Sequence, residues 1–330
     1  MNSSGLKSIS EFEKLYKVNI PLYSEFDYYY NTLLQSKEFS HLPEALDNLK
    51  NLETKLTGEG TGISSYKMKM LDKMVDYLSK TESYKKMQEF DLKTLTPWKS
   101  MDMRGEYYSK NPEAHTFVSI DISSANYSVL RRVFGNEEEL GNSWDELCDK
   151  FNIHPAIKNS KSFRQFVFGN LNPKRSQTIQ QSFVTNIVDL LNNAGYKNVI
   201  YITHDEVILA FDRNIPIGIT SIKKVLEPLE IETKLTAFNV VPTDKNSSKV
   251  FVKLLVKENG DSYATLYGVP GNEFYYYFKK YILKSQDIEV RDLYFMNDKK
   301  LAMWVPDFHP MHPNNMILEN DFDNTIIEVE

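Results

Sequence analysis

Asp121 and Asp205 are the two acids whose surroundings suit them to chemistry. Asp121 ends a short apolar run, HTFVSID (115–121), and Asp205 lies in a polar tip, His204-Asp205-Glu206, inside NVIYITHDEVILAF (198–211). Buried strands do not favour charge, so acids at apolar strand ends need a reason. One reason is ordinary: a hairpin tip is polar, and His204 suits a turn. The other is phosphoryl transfer. Carboxylates converging from separate strands hold two Mg²⁺ ions about 4 Å apart, which activate an attacking hydroxyl and neutralise a leaving pyrophosphate. Magnesium prefers oxygen ligands and takes only one or two carboxylates from the protein.

Such a pair must be positioned by adjacent strands, and the surrounding pattern supplies them. A helix follows Asp121 from Ser124, carrying Tyr127, Leu130 and Arg131. Residues 158–193 read as helices broken at Gly169-Asn-Leu-Asn-Pro173. The hairpin around Asp205 comes next, then a helix at 222–229 and an alternating strand at 230–241. The order strand, helices, hairpin, helix, strand predicts an α+β layer with a largely antiparallel sheet and helices on one face.

The flanks are simpler. Leu46, Leu49, Leu52 and Leu56, then Met68, Leu71, Met74, Val75 and Leu78, recur at helical spacing, so residues 1–110 form a helical region. The polar stretch 242–248 marks a boundary. Beyond it, residues 246–330 read as a β-β-α-β-β unit, with a turn at Asn259-Gly260, a helix over 272–284 and a second hairpin over 288–305. The aromatics and lysines of FYYYFKKYILK (274–284) read as core packing rather than base stacking. His309 and His312 read as part of a Pro-rich loop, not a metal site, and the acidic end, LENDFDNTIIEVE, as a solvated tail or docked strand.

Composition narrows the classes. The chain has 330 residues, 41% apolar and 25% charged, which is globular. One cysteine, Cys148, excludes an internal disulfide framework and a cysteine-rich zinc site. There is no apolar run of membrane-spanning length and no signal-peptide core, so a cytoplasmic protein without a membrane partner is expected. Walker-type glycine loops, dinucleotide fingerprints and nucleophile elbows are absent. The net charge of −6 carries no global basic signal, yet residues 151–188 hold Lys158, Lys161, Arg164, Lys174 and Arg175 with no acid among them. A local cationic surface is what a nucleic-acid enzyme of net negative charge needs.

Several segments, in order, resemble the palm of the family A (DNA polymerase I-like) DNA polymerases. DISSANYSVLR (121–131) resembles the first palm motif, a strand ending in Asp followed by a helix with an Arg. The resemblance assigns Asp121 to metal binding, with the Ile122 carbonyl facing the metal. KSFRQFVFG (161–169) resembles the fingers helix, in which a cation meets the triphosphate and an aromatic ring four residues later stacks on the incoming base. Arg164 and Phe168 have that spacing and share a helix face, with Lys161 in the same nucleotide-binding set. IQQSFVTNIVDLL (179–191) resembles the primer-terminus helix, with Gln180 as its minor-groove residue. His204-Asp205-Glu206 resembles the third motif, with Asp205 on metal and His204 and Glu206 near the primer end. LEIETKLTAF (229–238) resembles the closing palm strand.

The resemblance covers about a third of the chain, residues 115–240, and departs from the family in three places. Only residues 170–178 join the fingers helix to the primer-terminus helix, so the fingers, about 152–195, are reduced. Asn172 and Ser160 replace the Tyr and Arg usual in the fingers motif. Asn126 stands where the DNA polymerases carry a Glu that excludes the ribose 2′-OH, which predicts weak exclusion of ribonucleotides. The expectation is therefore a helical N-terminal region (1–110), a polymerase-like palm with reduced fingers (111–245) and a small C-terminal α+β unit (246–330). Its cofactor is a pair of Mg²⁺ ions, with Mn²⁺ as the alternative, and its partners are template, primer and nucleoside triphosphates. Arg131, Lys174 and Arg175 are expected on the nucleic acid. So reduced a polymerase suits a viral, phage or plasmid system, working in the host cytoplasm with replication or transcription proteins. Two other readings fit the same residues: an RNA polymerase or template-independent nucleotide-adding enzyme, and a catalytically silent nucleic-acid-binding subunit.

Overall fold

The computed structural model describes residues 3–135, 137–214, 218–243, 250–257, 260–297 and 300–304. His309, His312 and the acidic tail lie outside the described residues, as does Asn259 of the expected turn. Fourteen α-helices and nine strands are assigned among those described. The N-terminal region is helical as its leucine spacing predicts: α1 (Ser3–Tyr16), α2 (Phe26–Leu34), α3 (Leu42–Gly58), α4 (Ile63–Lys80) and α5 (Glu82–Glu89). Of the apolar stripes of α3 and α4, Leu49, Leu52, Leu56, Leu71, Met74 and Leu78 are buried, whereas Met68 is exposed. After β1 (Met101–Asp102) and α6 (Arg104–Lys110) comes β2 (His115–Ile122), which ends at the first aspartate.

The region between β2 and the hairpin is helical throughout: α7 (Ala125–Phe134), α8 (Glu137–Leu140), α9 (Trp144–Asp149), α10 (Pro155–Lys158), α11 (Lys161–Gly169) and α12 (Pro173–Asn193). The break between α11 and α12 falls where the glycine, asparagines and proline predict it. Asn172 takes a left-handed conformation, φ 48°, its side chain accepts from the Arg175 amide, and Pro173 starts the next helix. Then follow β3 (Val199–Ile202), β4 (Glu206–Asp212), α13 (Ile219–Leu226) and β5 (Thr233–Pro242).

These elements make an antiparallel sheet in which β2 lies between β4 and β5, and β3 lies outside β4. The arrangement is a β-α-β-β-α-β unit, the split form of βαβ. Its register follows from side-chain alternation. Val118, Ile120 and Ile122 face the large core shared with the helices, while Phe117, Ser119 and Asp121 face the other way.

The sheet does not stop at the expected boundary. β6 (Phe251–Lys257) pairs with β5 along its length and β7 (Ser262–Tyr267) pairs with β6, giving seven strands in the order β1-β3-β4-β2-β5-β6-β7. The remaining C-terminal elements are α14 (Phe274–Tyr277), which runs into a π-turn at Phe278–Ile282, and a separate hairpin of β8 (Tyr294–Asn297) and β9 (Lys300–Met303).

The sheet is strongly curled. Strands β3 and β7 are five positions apart, roughly 24 Å in a flat sheet. Yet the Arg104 guanidinium lies 3.6 Å from the Tyr201 ring of β3 and 5.9 Å from the Tyr267 ring of β7. Helix α6 plugs the hollow, with the buried Tyr108 ring 5.0 Å from Phe117 and 5.8 Å from Phe251. Among the described residues no helix is long and apolar enough to cross a membrane.

Candidate active site at the ends of two central strands

Asp121 and Asp205 come together because β2 and β4 pair without a slip. Asp121 is the direct partner of Glu206, and the Ile122 amide donates to the Asp205 carbonyl at 2.9 Å. The hairpin turn that presents Asp205 is tight: the Thr203 amide donates to the Glu206 carbonyl at 2.9 Å, and the Thr203 hydroxyl donates to Asp205 Oδ1 at 3.2 Å. His204 is exposed, with Nε2 3.6 Å from Asp205 Oδ1. Glu206 is drawn along the strand, where its carboxylate accepts from the Ser119 hydroxyl at 2.5 Å.

The electrostatics record the crowding. Burial, then the charges of Asp205 and Glu206, push the Asp121 carboxyl up to about 6, against the opposing pull of Lys161 and Lys234. Lys161 begins α11 and Lys234 is the β5 partner of Asp121. Arg164, one turn along α11, also feels Asp121, and burial disfavours its charge. Three cations from two elements therefore act electrostatically at one acidic strand end.

Among the described residues no three His, Cys, Asp or Glu side chains converge as a metal-binding group. The donor set nonetheless fits Mg²⁺: two carboxylates on neighbouring strands suffice for an ion that keeps waters in its shell. A pair crowded enough to raise one member's proton affinity is one that a divalent cation relieves.

Other expected site residues are placed elsewhere. Phe168 is 4% exposed and packs 5.9 Å from Trp144, so its ring is not presented to a base. The exposed ring of α11 is Phe166, 52% exposed, on the side facing Lys67 of α4. Gln180 is 3% exposed, too enclosed to reach a minor groove, and donates to Asn126 Oδ1 and the Ser176 hydroxyl. Asn126 is thereby held against α12 through its Oδ1. Arg175 is committed to helix α5, donating to the Met87 carbonyl at 2.6 Å and to the Phe90 carbonyl. Lys174 is exposed, and Arg131 is bonded to Asn142 Oδ1 at 3.3 Å.

Lys234 is the neighbour that sequence reasoning missed. A lysine in an alternating strand gives no sign of which acid it will face until the register is known. No family model, curated protein or solved structure matches the chain.

Proposed function

We propose that the chain is a template-directed nucleotidyltransferase of the DNA polymerase type, extending a 3′-OH. One observation carries this reading: Asp121 and Asp205 meet at the ends of adjacent central strands of a β-α-β-β-α-β unit, where Lys161, Arg164 and Lys234 interact electrostatically with Asp121.

Asp121 and Asp205 would hold the divalent ions, which supply charge neutralisation at the reacting phosphate. Thr203 fixes the Asp205 carboxylate, limiting the rotamers it must lose on binding. Arg164 and Lys161 of α11, both coupled electrostatically to Asp121, would offer donors to the triphosphate. His204, exposed beside Asp205, would contact the primer end.

A catalytically silent nucleic-acid-binding subunit is the second reading, favoured by the enclosure of Phe168 and Gln180. Primer extension with Mg²⁺ or Mn²⁺, offering every dNTP and NTP, separates the two. We expect extension by the wild type and a loss of about a thousandfold or more in Asp121→Asn and Asp205→Asn, the several kcal/mol that metal assistance supplies. Absence of extension in all three proteins would remove the enzyme reading.

A further inference from the structure

The alternation of β6 decides where its first lysine goes. Phe251, Lys253 and Leu255 share one face, and the register sets Lys253 beside Val240 of β5 and Thr265 of β7. That face lines the hollow of the curled sheet, whose other walls are Phe117, Phe238, Phe251 and the plugging ring of Tyr108. A lysine among these rings is out of keeping with its type.

No carboxylate neutralises it. Lys253 makes no hydrogen bond or ion pair among the described residues. Its Nζ lies instead 4.3 Å from the ring centre of Tyr267, 4.5 Å from that of Phe238 and 5.7 Å from that of Tyr108. Ring faces attract an ammonium but take none of its protons. Burial, against the pull of Glu206 on β4 and together with the charge of Arg104 on α6, pushes the amine down to about 8. Lys253 stays half-buried, which leaves an approach for a small molecule.

A second group in the same hollow has spare capacity. Tyr108 is 1% exposed, and its hydroxyl is enclosed without a partner. Burial raises that phenol well above its ordinary range, so it stays a donor lacking an acceptor. An unpaired amine that sheds its proton readily is the nucleophile of imine chemistry. A buried hydroxyl beside it is a donor for a carbonyl oxygen, and meeting that oxygen would recover the cost of its enclosure.

We propose that Lys253 is a covalent capture site for small aldehydes, which it binds as an imine while the Tyr108 hydroxyl donates to the carbonyl oxygen. The Nζ lone pair forms a bond to the carbonyl carbon. Two protons of the amine then leave with the carbonyl oxygen as water, and C=N replaces C=O. The step needs no oxidant or reductant. The ring-lined wall suits a short aldehyde with an apolar body. Neither Asp121 nor Asp205 takes part, so the site stands or falls apart from nucleotidyl transfer.

The test treats the full chain with limiting propanal, traps imines with cyanoborohydride at pH 7 and maps the propylated lysines by mass spectrometry. Lys253 is expected to be labelled about tenfold or more faster than the exposed Lys174, with a half-maximal rate near pH 8. Labelling no faster than at Lys174, or rising only above about pH 10, would mean that the rings hold a permanent ammonium, and the proposal would be overturned. Tyr108→Phe should slow capture about fivefold, the worth of one hydrogen bond, and leave the pH midpoint in place. A moved midpoint with an unchanged maximal rate would remove the hydroxyl from the capture step. If that variant does not fold, the wild type decides: its preference for Lys253 should vanish in urea, and a preference that persists there belongs to the local sequence and overturns the site.

Discussion

At Asp121, burial and two neighbouring carboxylates act in the same direction, and the protein carries the cost in its folded state. The carboxyl is raised to about 6, above its unfolded value, so the folded chain holds this proton more tightly than the unfolded one. The penalty is fully present above pH 6 and disappears as pH falls below the ordinary carboxylate range. Asp121→Asn should therefore raise the Tm measured in chelator at pH 7, by the equivalent of about 1–2 kcal/mol after solvent screening. The gain should vanish near pH 3. A variant that melts lower than the wild type at pH 7 would contradict the crowding. Both aspartates were legible in the sequence because an acid closing an apolar run stands out. The aromatic partner was not. Spacing of i and i+4 puts Arg164 and Phe168 on one face of α11, but only packing tells which face meets Trp144, and Phe168 is the ring it takes.

At the scale of elements, the fingers region is held from outside as much as from within. Helix α11 is braced by the N-terminal helices: the Ser160 hydroxyl donates to the Leu15 carbonyl at 3.2 Å, and Lys17 reaches Gln165 at 3.4 Å. Helix α12 is fastened to the end of α5 by Arg175, whose guanidinium satisfies carbonyls that a helix terminus leaves open. A basic residue beside a candidate nucleotide site suggests a phosphate contact, but the neighbour it serves lies more than eighty residues earlier, where no local pattern points to it. Arg175→Met should cost about 1–3 kcal/mol in urea unfolding while leaving the salt dependence of oligonucleotide binding unchanged. A shallower salt slope would return Arg175 to the nucleic acid. The element order from β2 to β5 was readable because hairpin and helix periodicities differ. Helix α6 was not readable as a plug, because a seven-residue helix carries little periodicity and its role depends on the curl of a sheet.

For the whole molecule, the N-terminal and C-terminal regions are parts of one body. Lys279, on the π-turn, donates to Asp292 at 2.8 Å and to the Tyr28 hydroxyl at 3.0 Å, and Tyr28 donates to Asp292 at 2.5 Å. Tyr29 packs 4.7 Å from Tyr275 alongside. Asp292 is 1% exposed, and these partners satisfy its carboxylate. The sequence suggested a boundary at 242–248, since polar turn residues usually separate units; here the sheet continues from β5 into β6, and the C-terminal helix returns to α2. Lys279→Met should destabilise the full chain by about 3–5 kcal/mol, the cost of stranding a buried charge, and Lys279→Met with Asp292→Leu should restore much of it. Urea titration should show a single transition in each variant. Loss confined to one of two separate transitions would mean that the C-terminal region folds by itself.

The curled sheet bears on self-association. A flat sheet ends in two rows of unpaired amides and carbonyls that can recruit another chain. Here one terminal strand, β1, is two residues long, and along the other, β7, the Thr265 hydroxyl is tied at 2.7 Å to Glu38 from the turn after α2. With its ends drawn around Arg104 and guarded in this way, the sheet that carries the aspartates offers little template for edge-to-edge growth.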